Sequence, residues 1–380
     1  MSAEAPAPTV RILGTRGIPG RHGGFESATE DLGPFLVARG WRVIVYCQET
    51  GSGPIWQDEW NGIERVHVPV ERAGALGTIV FDLLCTRHAL KERDLILVFG
   101  YNTAVFSLAY RLCRVPSVMN MDGLEWRRGK WSRAARAWLW TNERLGILFS
   151  DHLIADHPEI ARYLSAHTRS DRITMIPYGA RQVDQADAKL LAPFGIEPRG
   201  YLLVIARWEP ENSVLDIVRA YSAAPRHVPL LVLGRGAPGS AYGARVVAAA
   251  GPDVRFPGAI YDRPVVDALR RYALAYVHGH TVGGTNPSLL EALGAGSPVV
   301  AHDNPFNRWV AGDAALYFTD ERSLADALER LTQSGAGATL DRLSAAARAR
   351  HAERFRLEDT NSEYERLLQR WLPRNARGAA

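Results

Sequence analysis

The chain has 380 residues, a formal net charge of +4 and an ordinary hydrophobic share of 47%. A chain of this length is expected to form two domains, and its dispersed basic residues argue against nucleic-acid binding. The three cysteines have no paired or metal-like spacing, which fits a reducing cytoplasm. No apolar run is long enough to span a membrane, and the Ala- and Pro-rich stretch Met1–Pro8 is predicted to be a flexible tail rather than a signal peptide.

The first part of the chain alternates apolar strands with helical segments. Most of the strands are continuously apolar, as expected for parallel strands that are buried on both faces. They are predicted at Thr9–Gly14, Arg42–Cys47, Arg65–Val70, Asp94–Gly100, Ser117–Met121, His152–Ala155 and Ile173–Ile176. The series ends near Gly179, so residues 1–183 are predicted to form an N-terminal Rossmann-like domain.

Residues 184–198 have weak periodicity and are predicted to be a hinge. A second unit follows at 199–355, with strands predicted at Tyr201–Ile205, Leu230–Leu233, Val254–Phe256, Leu274–Val277, Val299–Ala301 and Leu316–Phe318. The pattern predicts an α/β fold of two facing, doubly wound Rossmann-like domains with a cleft between them. A final helix, Leu357–Leu372 within residues 356–380, has one apolar face that could pack across both domains.

The loop after the first strand, Gly14–Glu26, is rich in glycine. It is neither a dinucleotide fingerprint nor a Walker loop, and no acidic ribose ligand ends the second strand, so nicotinamide binding is disfavoured. Five glycines beside Arg16, Arg21 and His22 favour a ligand-binding loop over a merely flexible turn.

Two carboxylates, Asp122 and Glu125, follow a buried strand. They are candidates for contacting acceptor hydroxyls or acting as a base, but Asp122 could equally cap the next segment while Glu125 is solvated.

The basic segment Arg127–Trp138 has interleaved tryptophans, and a helix there would gather Trp131 and Trp138 on one face. Such a stripe favours a core position, with contact to an anionic membrane as the alternative.

Arg207 ends the first strand of the second unit, where a fixed cation can stabilise a departing diphosphate. This interpretation is favoured over a surface ion pair with Glu209 or Glu211, because ligands of such sheets bind at the carboxyl ends of strands.

His278 and His280 are weak evidence for a metal and fit a polar lining. Lysine occurs only at Lys91, Lys130 and Lys189, so any later phosphate clamp must use arginine, backbone or helix dipoles.

The most informative segment is the turn His280–Gly284 and the apolar helix that follows it. Pro287 suits the first turn of a helix, and the N–H groups of that turn, approached past Gly283 and Gly284, form an anion site. Glu291 lies about one turn further in, where a carboxylate can accept two hydroxyl groups. A phosphate site beside a diol site predicts a nucleotide sugar as the ligand.

At these residues the chain resembles the family 4 glycosyltransferases, which are retaining enzymes of the GT-B fold. It looks closest to a branch that includes rhamnosyltransferases of surface polysaccharide synthesis. The resemblance runs from about Arg11 to Phe318, and its motifs are Gly14–Pro19, His22–Glu26, Asp122–Trp126, Ala206–Asn212, Gly283–Glu291 and His302–Arg308.

The resemblance implies a set of site residues. For catalysis it implies Arg207, Asp122 and Glu291, with Arg207 on the diphosphate and Glu291 on the ribose. For donor binding it implies Gly23, Gly24, Arg207, Asn212, Gly284, Thr285, Asn286, Pro287, Ser288 and Glu291. For acceptor binding, in the N-terminal domain, it implies Arg16, Asp122 and Glu125.

The chain departs from the wider family at three positions. Asn212 stands where relatives usually carry a lysine, a second clamp on the donor. Gly283 stands where they usually carry a glutamate, and a histidine is often found near Asp122. The first departure leaves phosphate charge less neutralised, and the second removes a carboxylate from the sugar pocket, which suits a deoxy sugar.

The expected reaction is transfer of a sugar from a nucleoside diphosphate to a saccharide or lipid-linked saccharide hydroxyl, with retention, in polysaccharide synthesis. The leading donor is dTDP-rhamnose, with UDP- and GDP-sugars open, and neither metal nor cofactor is expected. The alternatives are a nucleotide-sugar 2-epimerase of the same fold and a non-catalytic nucleotide-sugar-binding protein. The expected location is the cytoplasm, with peripheral contact at the inner face of the cell membrane left open.

Overall fold

The computed structural model describes residues 7–20, 23–72 and 74–373, and these divide into two compact units. The first comprises the chain up to Arg127, Trp131–Pro177 and the segment from Glu358 onward. The second comprises Arg128–Lys130 and Tyr178–Leu357. Most of the predicted tail, with Arg21 and His22 of the first loop, lies outside the described residues.

The first unit is built on an eight-stranded sheet with the order β3-β4-β2-β1-β5-β6-β7-β8. All of its pairings are parallel except that of β3 with β4. The strands are β1 (Thr9–Leu13), β2 (Arg42–Thr50), β3 (Trp56–Trp60), β4 (Ile63–Val70), β5 (Leu95–Phe99), β6 (Ser117–Asn120), β7 (His152–Ala155) and β8 (Ile173–Met175). The seven predicted strands are confirmed within a few residues, whereas β3 was not predicted.

The helices between these strands are α1 (Gly24–Val37), α2 (Gly74–Ala89), α3 (Ser107–Leu112), α4 (Arg133–Phe149) and α5 (Pro158–Ser165). The core strands are mostly apolar, and Val10, Ile12 and Leu97 are fully buried; the polar Arg11 of β1 is buried as well. This agrees with the expectation for parallel strands covered on both faces.

The interpretation of the tryptophan stripe as core is wrong. Helix α4 begins at its cap Ser132, whose hydroxyl accepts a hydrogen bond from the Ala135 N–H. Its buried face carries Leu139, Asn142, Glu143, Gly146 and Ile147, while Trp138 and Trp140 are 41% and 46% exposed. The sheet selects the face with Gly146, because the absence of a side chain there lets the helix approach Met119.

The second unit is built on a six-stranded parallel sheet with the order β11-β10-β9-β12-β13-β14. Its strands are β9 (Leu202–Ile205), β10 (Leu230–Leu233), β11 (Val254–Gly258), β12 (Ala275–His278), β13 (Val299–His302) and β14 (Ala315–Phe318). All six correspond to predicted strands. Because β9 and β12 are central neighbours, the loops that follow them lie side by side at the carboxyl edge of the sheet.

The helices of the second unit are α6 (Val214–Ser222), α7 (Ala241–Ala248), α8 (Arg263–Arg271), α9 (Pro287–Gly294), α10 (Pro305–Ala311), α11 (Glu321–Thr332) and α12 (Gly337–Arg354). A 3₁₀ helix, Ala188–Phe194, occupies much of the predicted hinge.

The last helix, α13 (Leu357–Trp371), packs on the core of the first unit. Its residues Tyr364, Leu367 and Leu368 are buried there, and the Asn120 side chain donates a 2.7 Å hydrogen bond to the Tyr364 hydroxyl. This contact ties α13 to the end of β6, next to the candidate residue Asp122.

Candidate functional site

Helix α9 begins at Pro287, as predicted, directly after the glycine-rich loop that follows β12. Asn286 caps it, and its side-chain oxygen accepts a 3.0 Å hydrogen bond from the Ser288 N–H. The next two N–H groups, of Leu289 and Leu290, bond to the Asn286 carbonyl. Since the first turn satisfies its own donors, the backbone groups best placed for an anion lie earlier, in Gly283 and Gly284.

Gly283 adopts a backbone φ of +128°, a conformation that side-chain-bearing residues rarely adopt. Nothing lies within 4 Å of the position that a Cβ would take there. The loop therefore has a glycine-specific backbone and open space where relatives of the predicted family usually carry a carboxylate.

Glu291 forms an ion pair with Arg270, a residue that the sequence analysis missed. The Arg270 side chain is buried, at 6% exposure, and Glu291 is 42% exposed. Arg270 also approaches the Ser288 hydroxyl, which bonds to the Tyr276 hydroxyl at 2.6 Å. The pair fixes the Glu291 carboxylate at the surface beside the first turn of α9, where it remains accessible to hydroxyl groups.

The loop after β9 carries Arg207 and is tied to the loop after β12. Asn212 is buried, and its side-chain amide donates a 2.8 Å hydrogen bond to the Arg207 carbonyl. The Glu211 carbonyl accepts hydrogen bonds from the N–H and hydroxyl of Thr281. Gly279 permits this approach, because a Cβ there would lie 2.5 Å from the Asn212 carbonyl oxygen.

The Arg207 side chain itself is 63% exposed, and its Nη2 lies 4.0 Å from Glu209 Oε2. This distance is too long for a hydrogen bond. The surface pairing considered from the sequence is therefore loose, and the guanidinium remains at the carboxyl edge of the sheet, where the sequence places an anion ligand.

His278 and His280 stack at 4.3 Å between ring centroids with an interplanar angle of 9°. Burial, together with the neighbouring Arg128 and Arg207 guanidinium groups, lowers the pKa of His280 to about 3. Burial also lowers the pKa of His278 well below its ordinary range. Both imidazoles are therefore neutral near pH 7, and across residues 7–20, 23–72 and 74–373 no cluster of side chains suited to a metal ion is found.

In the first unit, the glycine-rich loop after β1 is held at several points. The Glu26 carboxylate accepts a hydrogen bond from the Arg16 N–H, and Arg65 donates to the Ile18 carbonyl at 3.0 Å. Gly17 has a φ of +113°, and a Cβ there would lie 2.7 Å from the Cys47 sulfur. The loop is therefore a tightly packed turn that leads, at Gly23 and Gly24, into α1, with the Arg16 side chain exposed.

Asp122 and Glu125 follow β6 in the same unit. Asp122 has a φ of +53°, and its N–H is held by the Asn120 side chain at 2.9 Å. The Tyr101 hydroxyl donates to the Gly123 carbonyl and accepts from the Glu125 N–H, and Glu125 accepts a hydrogen bond from Trp131. Glu125 is therefore held by neighbours rather than fully solvated. Asp122 has a left-handed backbone conformation that is uncommon for residues other than glycine, although aspartate adopts it more readily than most.

The structure groups the candidate residues by unit. Around the carboxyl edge of the second sheet it gathers Arg207, Asn212, Gly284, Thr285, Asn286, Pro287, Ser288 and Glu291. The first unit carries Arg16, Gly23, Gly24, Asp122 and Glu125.

Two protein families match parts of this chain. Residues 199–334 match the family described as Glycosyl transferases group 1. The matched residues lie within the second unit. Residues 7–181 match a family described as a domain of unknown function, DUF1972. Among curated proteins, none matches the chain significantly.

Several solved structures resemble this chain along nearly its whole length. Sucrose-phosphate synthase from Thermosynechococcus elongatus has 16% identity and a TM-score of 0.78, over 96% of this chain and 98% of that one. Anabaena HepE in complex with UDP and glucose has 17% identity and a TM-score of 0.75, over 96% and 100%.

A third resembling structure is the UDP-forming α,α-trehalose-phosphate synthase from Burkholderia xenovorans in complex with glucose-6-phosphate. It has 13% identity and a TM-score of 0.72, over 95% of this chain and 100% of that one. At these identities the likeness shows the fold, and it confirms the predicted GT-B fold of two Rossmann-like domains. The family match and the fold together indicate a glycosyltransferase.

Proposed function

We propose that this protein transfers a sugar from a nucleoside diphosphate to a hydroxyl group of a saccharide. The proposal rests on one observation. The loop that carries Arg207 and the loop before α9 lie side by side at the carboxyl edge of the second sheet, beside the Glu291 carboxylate. Support comes from resembling structures that contain UDP or UDP-glucose. Gly283 and Gly284 would meet the diphosphate, and Glu291 would accept the ribose hydroxyls.

The reaction needs stabilisation of the leaving group more than it needs a nucleophile. In the retaining, front-face course that the family resemblance implies, the acceptor oxygen bonds to the anomeric carbon while the bond to the diphosphate breaks. The acceptor proton passes to the departing diphosphate. Arg207 and the loop amides would stabilise the charge that develops there, without a metal ion. Asp122 and Glu125 in the first unit are proposed to orient the acceptor hydroxyl.

The proposed donor is dTDP-rhamnose, in polysaccharide synthesis. The support is the glycine at position 283, which leaves the sugar pocket one carboxylate poorer and therefore suits a sugar with fewer hydroxyls. The resembling structures with UDP-glucose favour a UDP-hexose as the second candidate.

A thermal-shift panel of dTDP-rhamnose, UDP-glucose and GDP-mannose tests the donor, since a bound ligand raises the melting temperature. A shift with dTDP-rhamnose is expected. A shift with UDP-glucose or GDP-mannose alone would overturn the rhamnose assignment and keep the glycosyltransferase.

The acceptor is proposed to be lipid-linked and met at an anionic membrane surface. The solvent-exposed side chains of α4 include Trp138, Trp140 and Leu148 together with Arg133 and Arg136, and the one acidic residue of the helix is buried. Exposed aromatic and basic side chains on a helix suit an anionic lipid surface. Among the residues that the structure describes, no helix is long and apolar enough to cross a membrane.

Sedimentation with anionic vesicles tests this contact. The protein is expected to sediment with phosphatidylglycerol vesicles and not with phosphatidylcholine, and a Trp138→Ser, Trp140→Ser variant should stay in the supernatant. Equal sedimentation of variant and wild type would contradict the role of these tryptophans.

The epimerase and binding-protein alternatives have less support, because the matched family is one of transferases. Incubation of the donor without acceptor separates them. An epimerase converts the donor to its epimer under these conditions, a binding protein releases no diphosphate with any acceptor, and the proposed transferase releases it when acceptor is added.

A further inference from the structure

The second unit lacks one of the positive charges that a diphosphate site is expected to have. At position 212 it offers a neutral side chain, and the Asn212 amide is already engaged in holding the Arg207 carbonyl. The chain has no lysine beyond Lys189. A nucleoside diphosphate carries at least two negative charges, so Arg207 alone would leave it under-neutralised.

The three-residue segment Arg128–Lys130 belongs to the second unit, far in sequence from the rest of it. Lys130 Nζ lies 3.7 Å from Glu209 Oε2, and the same oxygen lies 4.0 Å from Arg207 Nη2. Both distances exceed those of hydrogen bonds, so Glu209 gathers the two cations by charge. A lysine and an arginine therefore flank one carboxylate at the carboxyl edge of the sheet.

Arg128 lies in the same region. With Arg207 it disfavours a proton on the buried imidazole of His280, the residue that opens the loop before α9. Arg128 and Arg207 thus act on the residue that opens this loop, and Lys130 joins Arg207 at Glu209. These three cations stand against two carboxylates, those of Glu209 and the buried Glu211. An excess of positive charge beside a glycine-containing loop is an environment that favours a polyanion.

We propose that Lys130, supported by Arg128, supplies the second cation of the diphosphate site in place of a basic residue at position 212. The inference rests on the proposed function and names a binding residue for it. A lysine suits this role because its compact ammonium acts as a point charge with three donors, and a flexible stem lets it turn from Glu209 to a phosphate.

The test is calorimetric titration of UDP and dTDP, and of the matching nucleosides, into wild type and Lys130→Met. The methionine keeps the stem and removes the charge. Diphosphate affinity is expected to fall about tenfold or more, as for loss of a hydrogen bond to a charged group, while nucleoside affinity stays unchanged. Lys189→Met, at an exposed lysine of the same unit, is the control and should bind like wild type.

Two further variants sharpen the result. Lys130→Arg keeps the charge and should retain most of the affinity. Asn212→Lys in the Lys130→Met background restores a cation at the alternative position and should recover part of it.

The outcomes separate this inference from the proposed function. If wild type binds diphosphate and Lys130→Met binds it equally well, the inference is overturned while the function stands. If wild type binds no nucleoside diphosphate, the proposed function fails and the inference fails with it. Melting curves of each variant report whether the fold is retained.

Discussion

Asp82 is a carboxyl group whose surroundings disfavour its charge. It lies in α2 at 8% exposure and accepts a 2.7 Å hydrogen bond from the Thr103 hydroxyl. Burial raises its pKa to about 6, although Thr103 and the Arg16 charge act in the opposite direction. The ionised form is therefore destabilised in the folded protein relative to the unfolded chain.

This predicts a stability that falls as pH rises from about 4 to about 6, since the folded state binds more protons than the unfolded state in that window. At pH 4 and below, the group contributes nothing. Above pH 6 the penalty is complete, and a shift of this size corresponds to about 3 kcal/mol. Asp82→Asn, which keeps an acceptor for Thr103, should therefore raise stability at pH 8.

Urea unfolding of wild type and Asp82→Asn at pH 4 and pH 8 checks the prediction. The variant should gain at pH 8 and match wild type at pH 4. An equal difference between the two proteins at both pH values would show that the side-chain charge is not responsible.

Other single residues also lay beyond sequence reasoning. The positions of Glu291 and Arg207 near the carboxyl edge of the second sheet could be predicted, because Arg207 follows an apolar strand and Glu291 lies in the helix after the next loop; their binding roles stay predictions. Arg270 was not, because an arginine at the end of a helix gives no sign that it will be buried against Glu291. Lys130 was not, because its membership of the second unit depends on the course of the folded chain.

At the scale of elements, the hairpin of β3 and β4 holds the glycine-rich loop. Arg65 on β4 pairs with both oxygens of Asp58 on β3 and donates to the Ile18 carbonyl. His67 lies between Asp58 and Glu49, at 2.9 and 2.7 Å, and stacks against Trp56. The loop is thus anchored by an ionic network on the hairpin as well as by its own glycines.

Arg65→Met should loosen this loop, because the Ile18 carbonyl loses its donor and Asp58 its cation. Faster amide hydrogen exchange is expected in Gly14–Gly20, with a stability loss of about 1–3 kcal/mol. The control is Arg42→Met, which removes an Arg–Glu pair from the same sheet without touching the loop. Unchanged exchange in the loop of Arg65→Met would exclude the anchoring role.

Individual strands and helices show why part of the fold could be predicted from the sequence and part could not. Buried parallel strands can be recognised in the sequence as apolar runs, and all of the predicted strands are present. Strand β3 has the sequence Trp-Gln-Asp-Glu-Trp, lies at the sheet edge and is largely exposed, so it has no apolar run. The stripe on α4 had helical spacing, but spacing alone could not tell which face the sheet would cover.

At the scale of the whole molecule, the two sheets are predominantly parallel, residues 199–334 match the group 1 glycosyl transferases, and solved structures of similar fold are glycosyltransferases. Each unit presents its candidate residues at the carboxyl edge of its own sheet, as doubly wound folds do. The glycine loop and Asp122 belong to the first unit, and the anion loop, Arg207 and Glu291 belong to the second. Capture of a nucleoside diphosphate by the second unit is the central claim.

The most direct test of that claim is equilibrium binding of a nucleoside diphosphate and its parent nucleoside to wild type and Arg207→Met. The predicted result is a single diphosphate site whose affinity falls at least about tenfold in the variant, with nucleoside binding unaffected. Equal diphosphate affinity in the two proteins, or no binding of UDP, GDP or dTDP by wild type, would contradict the account.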